Sequence, residues 1–477
     1  MDGVEGKYGH RPLLDPLDHV FPTRSGHPQT PVNVTYKNKA VAVLGAGESG
    51  ESAALLLRQE GAVVTVLDTG EENKLRQKIE TLGAHGIRVI AGLAADHESK
   101  HGHYDCAILS PGIDPAVPLV QNFIGRGIAM VGELELAFAR CECPIVGITG
   151  TNGKTTTTQL VERMLKACGV RTVACGNIGP AFSSKVGESA HLDMVTLEVS
   201  SFQLETITRF RCGIAVWLGF APDHLDRYPS MDEYFQAKVR IFENQTEEDW
   251  AVVNFRDELP ELKARKITFS AYVPGADFAL REGAIFFRGE RVLAMAEVQL
   301  RGSHNAENLM AALGVGFVRG LSFAQMVPPL REYQALPHRC EIIRTLDGVE
   351  YVNDSKGTNP DSVEKALHSE TRPVVLIAGG KDKGFEYDPL TGLVAQRCRA
   401  AVVLGEMADR IETIWKDRVR VVNAGRSLER AVALAHEIAQ PGDVVLLSPG
   451  TSSFDMFKNY ADRGNQFREL VNALQPK

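Results

Sequence analysis

The sequence contains no long apolar run, no excess of positive charge and few cysteines. No segment approaches the roughly 18 consecutive apolar residues that a membrane-spanning helix requires, so no membrane span is predicted. Lysine and arginine total 52 residues against 60 aspartates and glutamates, which gives a formal net charge of -8 at pH 7. This balance argues against general binding to nucleic acid or anionic membranes. The amino terminus lacks a basic stretch followed by an apolar one, so no secretory signal is predicted and the cytoplasm is the expected compartment.

The eight cysteines are scattered through the chain. They are Cys106, Cys141, Cys143, Cys168, Cys175, Cys212, Cys340 and Cys398. Only Cys141 and Cys143 are close in sequence, and no second pair completes a zinc site. We therefore interpret the cysteines as structural or incidental thiols.

The length of the chain and its apolar pattern predict several domains. A chain of 477 residues is too long for a single hydrophobic core, and its length favours about three domains. Residues 1–36 carry proline, glycine, histidine and charge, and they are predicted to be a disordered extension. Apolar runs then alternate with helical patterns in three successive units, at residues 37–136, 137–335 and 336–477.

The strongest local signal is a glycine turn between an apolar strand and a helix. The strand Val146–Ile148 leads into Thr149–Thr155, and a helix follows. Glycines let successive backbone N–H groups converge on phosphate oxygens, and the helix N-terminus adds partial positive charge. Lys154 is expected to neutralise the β- and γ-phosphates of ATP, and the Thr155 hydroxyl to bind Mg²⁺. The strict pattern has glycine where this chain has Ile148, but strand, glycines, Lys-Thr and helix occur together, which disfavours an incidental lysine.

These patterns predict an α/β fold with three domains. The first is a Rossmann-like domain, the second a P-loop ATPase-like domain and the third another Rossmann-like domain. Between residues 265 and 300 the pattern changes to short alternating strands with glycine turns, which predicts a small β addition to the central domain.

Two polar segments follow strands of the central unit. Glu198 ends the predicted strand Met194–Glu198, where a phosphate-loop domain holds Mg²⁺; the alternative is a surface glutamate at a strand end. Asp223–Tyr228 follows the next strand. His224 in this segment is a candidate metal ligand or a contact for a reacting carboxylate, and the alternative is a structural turn of Asp and Arg pairs.

A second glycine turn follows the first predicted strand. Gly45–Gly50, with Asp68 eighteen residues beyond Gly50, matches the dinucleotide fingerprint. The physical content of that match is a helix N-terminus that holds a diphosphate, and NAD or a UDP-sugar satisfies it equally well. Ser110–Ile113 would place another loop at the same edge of the sheet.

The third unit carries three cationic loops, each near the end of a strand. They are Leu336–Arg339, Asn353–Asn359 and Gly379–Gly384. Ligands of open α/β sheets bind beyond the carboxyl ends of strands. One such loop is more often a solvated turn, but three of them favour a binding site.

Taken in order, these motifs resemble the Mur ligase family of peptidoglycan synthesis. The resemblance is collinear from about residue 38 to residue 474. Thr149–Thr155, Asp223–Asp226 and His304, Asn305 and Asn308 are similar to the family in general. Asn353–Asn359 and the tail Leu447–Asp455, with Phe457, Tyr460, Arg463 and Gly464, are typical of its D-glutamate-adding members.

The resemblance implies an ATP-dependent ligase that joins D-glutamate to UDP-N-acetylmuramoyl-L-alanine through an acyl phosphate, and a monomer is expected. It implies catalytic roles for Lys154, His224, Lys238 and Lys356. It implies two Mg²⁺ ions held by Thr155, Glu198, His224 and a carbamylated Lys238. The implied ATP-binding residues are Gly150, Thr151, Asn152, Gly153, Lys154, Thr155, Thr156, Asn305, Asn308, Arg339 and Asp354. The implied UDP-substrate residues are Gly47, Glu48, Ser49, Asp68, Thr69, Ser110, Pro111, Gly112 and Asn177. The implied D-glutamate residues are Lys356, Thr358, Lys383, Ser453, Phe454 and Tyr460.

Three positions depart from the family pattern, and other functions stay open. Gly219 stands where asparagine is usual, Glu48 puts an anion in the diphosphate turn, and Lys381 adds a charge. One alternative is another Mur-type or folylpolyglutamate-type ligase, although the Asp-Asn-Pro-Arg motif of diaminopimelate- or lysine-adding members is absent. The others are an NAD-dependent dehydrogenase, which leaves Lys154 without a role, and a nucleotide-switched binding module, which would not need the third unit's cationic loops.

Overall fold

The computed structural model describes residues 35–225, 227–334 and 336–477. Residues 1–34 of the predicted extension, Asp226 and Ala335 lie outside the described residues. The described chain forms three separate sheets with helices packed against them, so the predicted three-domain α/β class is confirmed. The domain boundaries near residues 136 and 335 stay predictions.

The first sheet has five parallel strands in the order β3-β2-β1-β4-β5. Its strands are β1 Ala40–Leu44, β2 Val63–Asp68, β3 Arg88–Ala91, β4 Cys106–Leu109 and β5 Ala129–Gly132. Its helices are α1 Glu48–Gln59, α2 Glu72–Ala84, α3 Gly92–His101, α4 Pro118–Gly125 and α5 Glu133–Phe138. Val41 and Val43 of β1 enter one apolar cluster, while Ala42 and Leu44 enter another. Because helices cover both faces of a parallel sheet, β1 is apolar throughout.

The central sheet has nine strands in the order β14-β13-β12-β11-β10-β9-β6-β8-β7. Its strands are β6 Ile145–Thr149, β7 Thr172–Gly176, β8 Met194–Glu198, β9 Ile214–Trp217, β10 Trp250–Asn254, β11 Arg265–Ser270, β12 Phe278–Arg281, β13 Ala284–Phe287 and β14 Glu290–Ala294. Its helices are α6 Lys154–Ala167, α7 Ser201–Leu204, α8 Met231–Val239, α9 Ser303–Val318 and α10 Phe323–Arg331. The predicted β addition extends this sheet: β11 pairs parallel with β10, and β12 to β14 form an antiparallel meander.

The third sheet has six strands in the order β15-β16-β20-β17-β18-β19. Its strands are β15 Glu341–Leu346, β16 Val349–Asn353, β17 Val374–Gly379, β18 Cys398–Leu404, β19 Arg420–Asn423 and β20 Val444–Leu447. Its helices are α11 Pro360–Ser369, α12 Thr391–Arg397, α13 Ala408–Trp415, α14 Leu428–Ile438 and α15 Tyr460–Ala473. Only β15 of these strands runs antiparallel to its neighbour, at one edge. Across the described residues, no helix is long and apolar enough to span a bilayer.

The carboxyl ends of the central and third sheets face each other. Asn152, in the loop after β6, donates a hydrogen bond of 3.3 Å to Asn359, which follows β16. Lys383, in the loop after β17, forms an ion pair of 3.2 Å with Asp223, which follows β9. Loops that bind ligands in α/β sheets therefore meet in one cleft, as expected for the carboxyl ends of parallel strands.

Candidate active site

A cavity of about 720 Å³ lies between the central and third domains. All four predicted catalytic residues line it, and three of them, Lys154, His224 and Lys238, come from the central domain. The third domain contributes Lys356, and Arg339 beside it. Further predicted residues at this cavity are Thr151, Asn152, Gly153, Thr155, Asn177, Glu198, Thr358, Lys383 and Tyr460.

The phosphate loop requires glycine at two positions. Gly150 and Gly153 have φ angles of +148° and +85°, a region that side chains disfavour. A Cβ atom on Gly153 would collide with Oδ1 of Asn308, and one on Gly150 would lie 2.9 Å from Cβ of Leu218. Because α6 begins at Lys154, directly after this loop, its free N–H groups and partial positive charge are directed at the cavity.

Two lysine amines meet at one carbonyl of this loop. Nζ of Lys154 donates to the carbonyl oxygens of Gly150 and Thr151, each at 2.9 Å. Nζ of Lys238, a side chain only 1% exposed, donates to the same Gly150 oxygen at 3.0 Å. Burial lowers the pKa of Lys154, and burial together with the charge of Lys154 brings the pKa of Lys238 well below its usual range. Two cations so close favour a neutral amine on Lys238.

Glu198 presents a buried carboxylate to the cavity. Its Oε1 accepts a hydrogen bond of 2.7 Å from the Asn177 amide. Its Oε2 is buried and makes no hydrogen bond with any described residue. An unpartnered buried carboxylate oxygen is costly, and an oxygen-seeking cation would satisfy it.

The donor set around Glu198 fits Mg²⁺. The Thr155 hydroxyl and the His224 ring line the same cavity. In the described part of the chain, no three His, Cys, Asp or Glu side chains form a complete metal cage. Mg²⁺ suits such an incomplete set, because it usually binds one or two carboxylates together with substrate phosphates and water.

His224 is held as a neutral ring. Its backbone has a left-handed φ of +54°, which is strained for a residue with a side chain. The ring packs against Phe202 and Tyr234 at centroid distances of 4.9 and 5.8 Å. Burial lowers the pKa of His224 to about 4, despite the Asp223 carboxylate 3.9 Å away. Near neutral pH the ring can therefore act as a ligand or hydrogen-bond acceptor, but it carries no charge.

The third domain adds positive charge opposite the phosphate loop. Nζ of Lys356 lies 3.9 Å from the centroid of the Tyr460 ring, a close cation–π contact. Burial lowers the pKa of Lys356 to about 8, and the charges of Arg339 and Lys154 act in the same direction. Lys383 forms an ion pair with Asp223. Burial alone would raise the pKa of Asp223, but His224, Lys383 and a hydrogen bond from Asn359 together lower it. Several cations thus converge on one part of the cavity, which suits an anionic ligand.

A smaller cavity of about 80 Å³ opens beside the phosphate loop. It is lined by five predicted ATP residues, which are Thr156, Asn305, Asn308, Asp354 and Arg339, the last of which also lines the large cavity. The predicted Gly150 lines neither cavity. The side-chain amide of Asn308 donates a hydrogen bond of 3.1 Å to Oδ1 of Asn305, which fixes the orientation of both side chains. Burial raises the pKa of Asp354 to about 6. Ser448 donates 2.8 Å to the Asp354 carboxylate and holds it in place.

Sequence reasoning missed several residues at this junction. Asn359 donates 3.1 Å to Asp223 and is also hydrogen-bonded to Asn152. Asp361 accepts a hydrogen bond of 2.5 Å from the side-chain amide of Asn152. The Ser362 hydroxyl donates one of 3.1 Å to the side-chain oxygen of Asn152. The signal available was Asn359 followed by Pro360, the pattern of a helix start, which places these side chains at the amino end of α11.

The predicted UDP-substrate turn lies on the first domain. Asp68 accepts from the backbone N–H groups of Ala46 and Gly70 at 2.8 and 2.7 Å, so its carboxylate orders the turn. A Cβ atom on Gly50 would collide with the Gly45 carbonyl, so α1 can pack closely on this turn. The first-domain residues Gly47, Glu48, Ser49, Asp68, Thr69, Ser110, Pro111 and Gly112 do not line the large cavity, whereas Asn177 does.

Two predicted D-glutamate residues are not brought to the cavity. Ser453 is 2% exposed and Phe454 is 66% exposed, and neither lines the large cavity.

The structure places the three residues that depart from the family pattern as follows. Glu48 and Lys381 are exposed to solvent, and the Gly219 carbonyl accepts 2.9 Å from Thr151 N–H of the phosphate loop.

Comparisons with known proteins agree with this arrangement. Three family models match: "Mur ligase MurD-like, N-terminal domain" at residues 39–132, "Mur ligase middle domain" at 148–316 and "Mur ligase, glutamate ligase domain" at 338–450. A UDP-N-acetylmuramoylalanine–D-glutamate ligase from Geotalea uraniireducens is 41% identical over 446 residues, which cover 92% of this chain and 98% of that protein. One of the same name from Alkaliphilus metalliredigens is 36% identical over 451 residues, 92% of this chain and 99% of that protein.

Solved structures support the fold. A UDP-N-acetylmuramate-alanine ligase from Thermotoga maritima aligns with a TM-score of 0.60 at 19% identity, over 91% of this chain and all of that one. MurF from Acinetobacter baumannii aligns with a TM-score of 0.61 at 16% identity, over 90% of this chain and 93% of that one. At these identities the structures speak only for the architecture. The family models and the sequence relatives establish that the chain belongs to the Mur ligase family.

Proposed function

We propose that this chain is an ATP-dependent ligase that joins D-glutamate to UDP-N-acetylmuramoyl-L-alanine in peptidoglycan synthesis, with release of ADP and phosphate. The observation that carries the proposal is the single cavity in which the phosphate-loop Lys154 faces Arg339 and Lys356 of another domain. The relatives named as D-glutamate ligases support the choice of amino acid. We further propose that it works in the cytoplasm as a monomer.

The cationic cavity suits activation of a carboxylate. A carboxylate does not react with an amine at neutral pH, because oxide is a very poor leaving group. Transfer of the γ-phosphoryl group of ATP to the L-alanyl carboxylate gives an acyl phosphate, which the D-glutamate amine attacks with loss of phosphate. Negative charge then accumulates where two anions meet, and Lys154, Arg339 and Lys356 are placed to stabilise it.

Mg²⁺ would be held by Thr155 and Glu198, with His224 and a modified Lys238 nearby, and would supply charge neutralisation at the phosphates. The phosphate loop itself orients ATP through its backbone N–H groups. Lys154 would exchange two loop carbonyls for phosphate oxygens. We propose that the smaller cavity, with Asn305, Asn308 and Asp354, receives the nucleoside end of ATP.

The two remaining substrates would bind mainly to different domains. We propose that D-glutamate is held by Lys356, Thr358, Lys383 and Tyr460, which line the cavity, and by Ser453 and Phe454 beyond it. The uridine diphosphate would lie at the Gly47–Ser49 turn, with Asp68, Thr69, Ser110, Pro111 and Gly112 around it. Asn177, beside Glu198, would contact the muramoyl portion that reaches the cavity.

A phosphate-release assay tests the function. The chain is given ATP, Mg²⁺ and UDP-N-acetylmuramoyl-L-alanine with one amino acid at a time. We expect phosphate release with D-glutamate and background release with L-glutamate, L-lysine or diaminopimelate. Release that depends on one of these other amino acids, or on a folate substrate, would assign the chain to another ligase of the superfamily.

Lys238→Ala is expected to lose ligase activity and to regain part of it with added short carboxylates. The depressed pKa of Lys238 favours the neutral amine, which can add to carbon dioxide and release a proton to form a carbamate. An anion there would remove the repulsion from Lys154 and serve as a metal ligand. Phosphate release is measured against formate and acetate concentration. The exposed-lysine variant Lys166→Ala is the control. If formate and acetate raise its phosphate release as much as that of Lys238→Ala, or do not restore Lys238→Ala at any concentration, the carbamate is contradicted.

Glu198→Gln is expected to raise the Mg²⁺ concentration needed for half-maximal activity by about tenfold or more, a typical effect of weakening a metal site. Glutamine keeps the size of the side chain and its contact with Asn177, but it removes the anionic Oε2 that lacks a partner. Activity is measured across a Mg²⁺ titration, with Glu188→Gln, an exposed residue, as the control. An unchanged Mg²⁺ midpoint would exclude Glu198 as a ligand.

A further inference from the structure

Cys141 and Cys143 place two thiols in contact at the joint between the first and central domains. Their sulfur atoms lie 3.9 Å apart, and the Cys141 thiol donates a hydrogen bond of 3.3 Å to the Cys143 carbonyl oxygen. A disulfide bond needs a sulfur separation of about 2.05 Å, so a local movement of about 2 Å brings the pair to bonding distance. Both residues are half-buried. This geometry gives the pair more than the incidental role that the sequence suggested.

The two thiols differ in acidity in a way that favours exchange chemistry. The hydrogen bond from the Cys143 thiol lowers the pKa of Cys141. The same hydrogen bond, with burial, raises the pKa of Cys143. Cys141 is thus the more acidic thiol of the pair. A reactive thiolate beside a second thiol is the arrangement of redox-active dithiols.

We propose that the Cys141/Cys143 dithiol is a reversible modification site that exchanges with low-molecular-weight disulfides such as oxidised glutathione. Cys141 first loses its proton to solvent; its thiolate then attacks one sulfur of that disulfide, forms a mixed disulfide and expels one thiolate. Cys143 then loses its proton to solvent, and its sulfur attacks Sγ of Cys141 and expels the second thiolate. The two protein thiols lose two electrons in total, and one external disulfide is reduced to two thiols.

The dithiol lies between two fixed points of the chain. On its amino side, Arg140 donates to both carboxylate oxygens of Glu60 at 2.7 and 2.9 Å, and its guanidinium covers the Tyr36 ring at 5.0 Å. On its carboxyl side, β6 begins at Ile145 and leads to the phosphate loop. Glu60 caps the carboxyl end of α1, whose amino end forms the predicted UDP-substrate turn. The Arg140–Glu60 pair is one of several contacts between the first and central domains, since Glu135 also accepts hydrogen bonds from three backbone N–H groups at residues 208–210. Contraction of the dithiol would therefore act on the first domain through Arg140.

Oxidation of the dithiol is expected to act on the UDP-linked substrate and not on ATP. The ATP residues lie on the central and third domains, away from the Arg140–Glu60 contact, and β6, which pairs with β8 and β9 on its two sides, holds the phosphate loop in the central sheet. The apparent KM for UDP-N-acetylmuramoyl-L-alanine should rise about fivefold, the lower end of typical couplings between sites, and fall back on reduction. The KM for ATP should stay unchanged. This kinetic consequence rests on the proposed ligase function.

The experiment equilibrates the full chain in glutathione mixtures of increasing oxidation. Free thiols are then alkylated, and the peptide spanning residues 141–143 is mapped by mass spectrometry. In parallel, amide hydrogen exchange is followed across residues 48–59, together with ligase kinetics. We expect an internal disulfide with the loss of two hydrogen atoms, altered exchange in α1 and the KM shift, all reversed by dithiothreitol.

Matched variants decide the outcome. Cys141→Ser and Cys143→Ser should each keep the basal activity and lose the disulfide, the exchange change and the KM shift. Cys168→Ser, at another half-buried cysteine of the central domain, should keep all three. A glutathione adduct without the internal disulfide overturns the proposal, as does an internal disulfide that leaves both α1 and the KM unchanged. If the reduced chain shows no ligase activity, the proposed function fails, but mapping and hydrogen exchange still decide the dithiol.

Discussion

Replacing Lys154 by alanine is expected to lower the turnover number for phosphate release by about 100-fold or more, because losing one preorganised contact to developing charge costs about 3 kcal/mol. Lys154 is the first residue of α6 and faces Arg339 and Lys356 across the cavity. The charge on the transferring phosphoryl group is greatest in the transition state, so the loss should fall on kcat as well as on kcat/KM. Steady-state phosphate release at saturating substrates measures it.

Lys154→Ala should not destabilise the fold, which separates a catalytic loss from unfolding. The pKa of Lys154 is lowered by burial, so its ammonium is held at a free-energy cost in the ligand-free protein. Removing it also relieves the neighbouring Lys238 amine. The midpoint of thermal unfolding should therefore stay the same or rise. Lys166→Ala, an exposed lysine later on α6, is the matched control and should keep full activity. Near-normal turnover of a folded Lys154→Ala protein would refute the role of Lys154.

The phosphate loop shows why part of the site was predictable from the sequence. The apolar strand before Gly150 and the helix after Lys154 are local patterns, and a parallel strand ends where its sheet binds ligands. Glu198 could be placed on the same grounds, because β8 neighbours β6 and both end at one edge. Strand ends of one sheet are brought together by topology alone.

Contacts that depend on long-range packing were not predictable. Lys238 lies on a short helix, where an exposed lysine is the ordinary expectation, yet it is 1% exposed because α8 packs under the phosphate loop. The hydrogen bonds that join Asn359 to Asn152 and Asp223 depend on how two domains meet. No local sequence pattern determines how these two domains pack against each other. The contact between the sulfurs of Cys141 and Cys143 depends on the local course of a connecting loop.

The first and third domains show the same limit in their strands. The apolar runs of β1 and β20 were clear signals, because both strands are buried on two faces. Edge strands such as β3 and β15 carry exposed and half-buried residues and gave weak signals. The placement of Ser453 and Phe454 away from the cavity likewise follows from the turn after β20, which sequence spacing does not determine.

Replacing Lys356 by alanine is expected to lower kcat/KM by about 100-fold, the size of one lost charge contact, and the pH profile should identify the group responsible. The pKa of Lys356 is lowered to about 8, chiefly by burial. Below that pH the free enzyme carries the ammonium, and above it the neutral amine, so kcat/KM should fall as the pH rises through about 8. Bound anions favour the ammonium, so the corresponding fall in kcat should lie at higher pH.

Lys356→Arg makes this assignment testable without removing the charge. Arginine keeps its proton throughout this pH range and can retain the cation–π contact with Tyr460. The variant should therefore keep measurable activity while the alkaline fall in kcat/KM disappears or moves upward. Lys381→Arg, at an exposed lysine of the neighbouring loop, should leave the profile unchanged. If the fall persists at the same pH in Lys356→Arg, another group titrates there, and the cation that the third domain presents to the acyl phosphate is not Lys356.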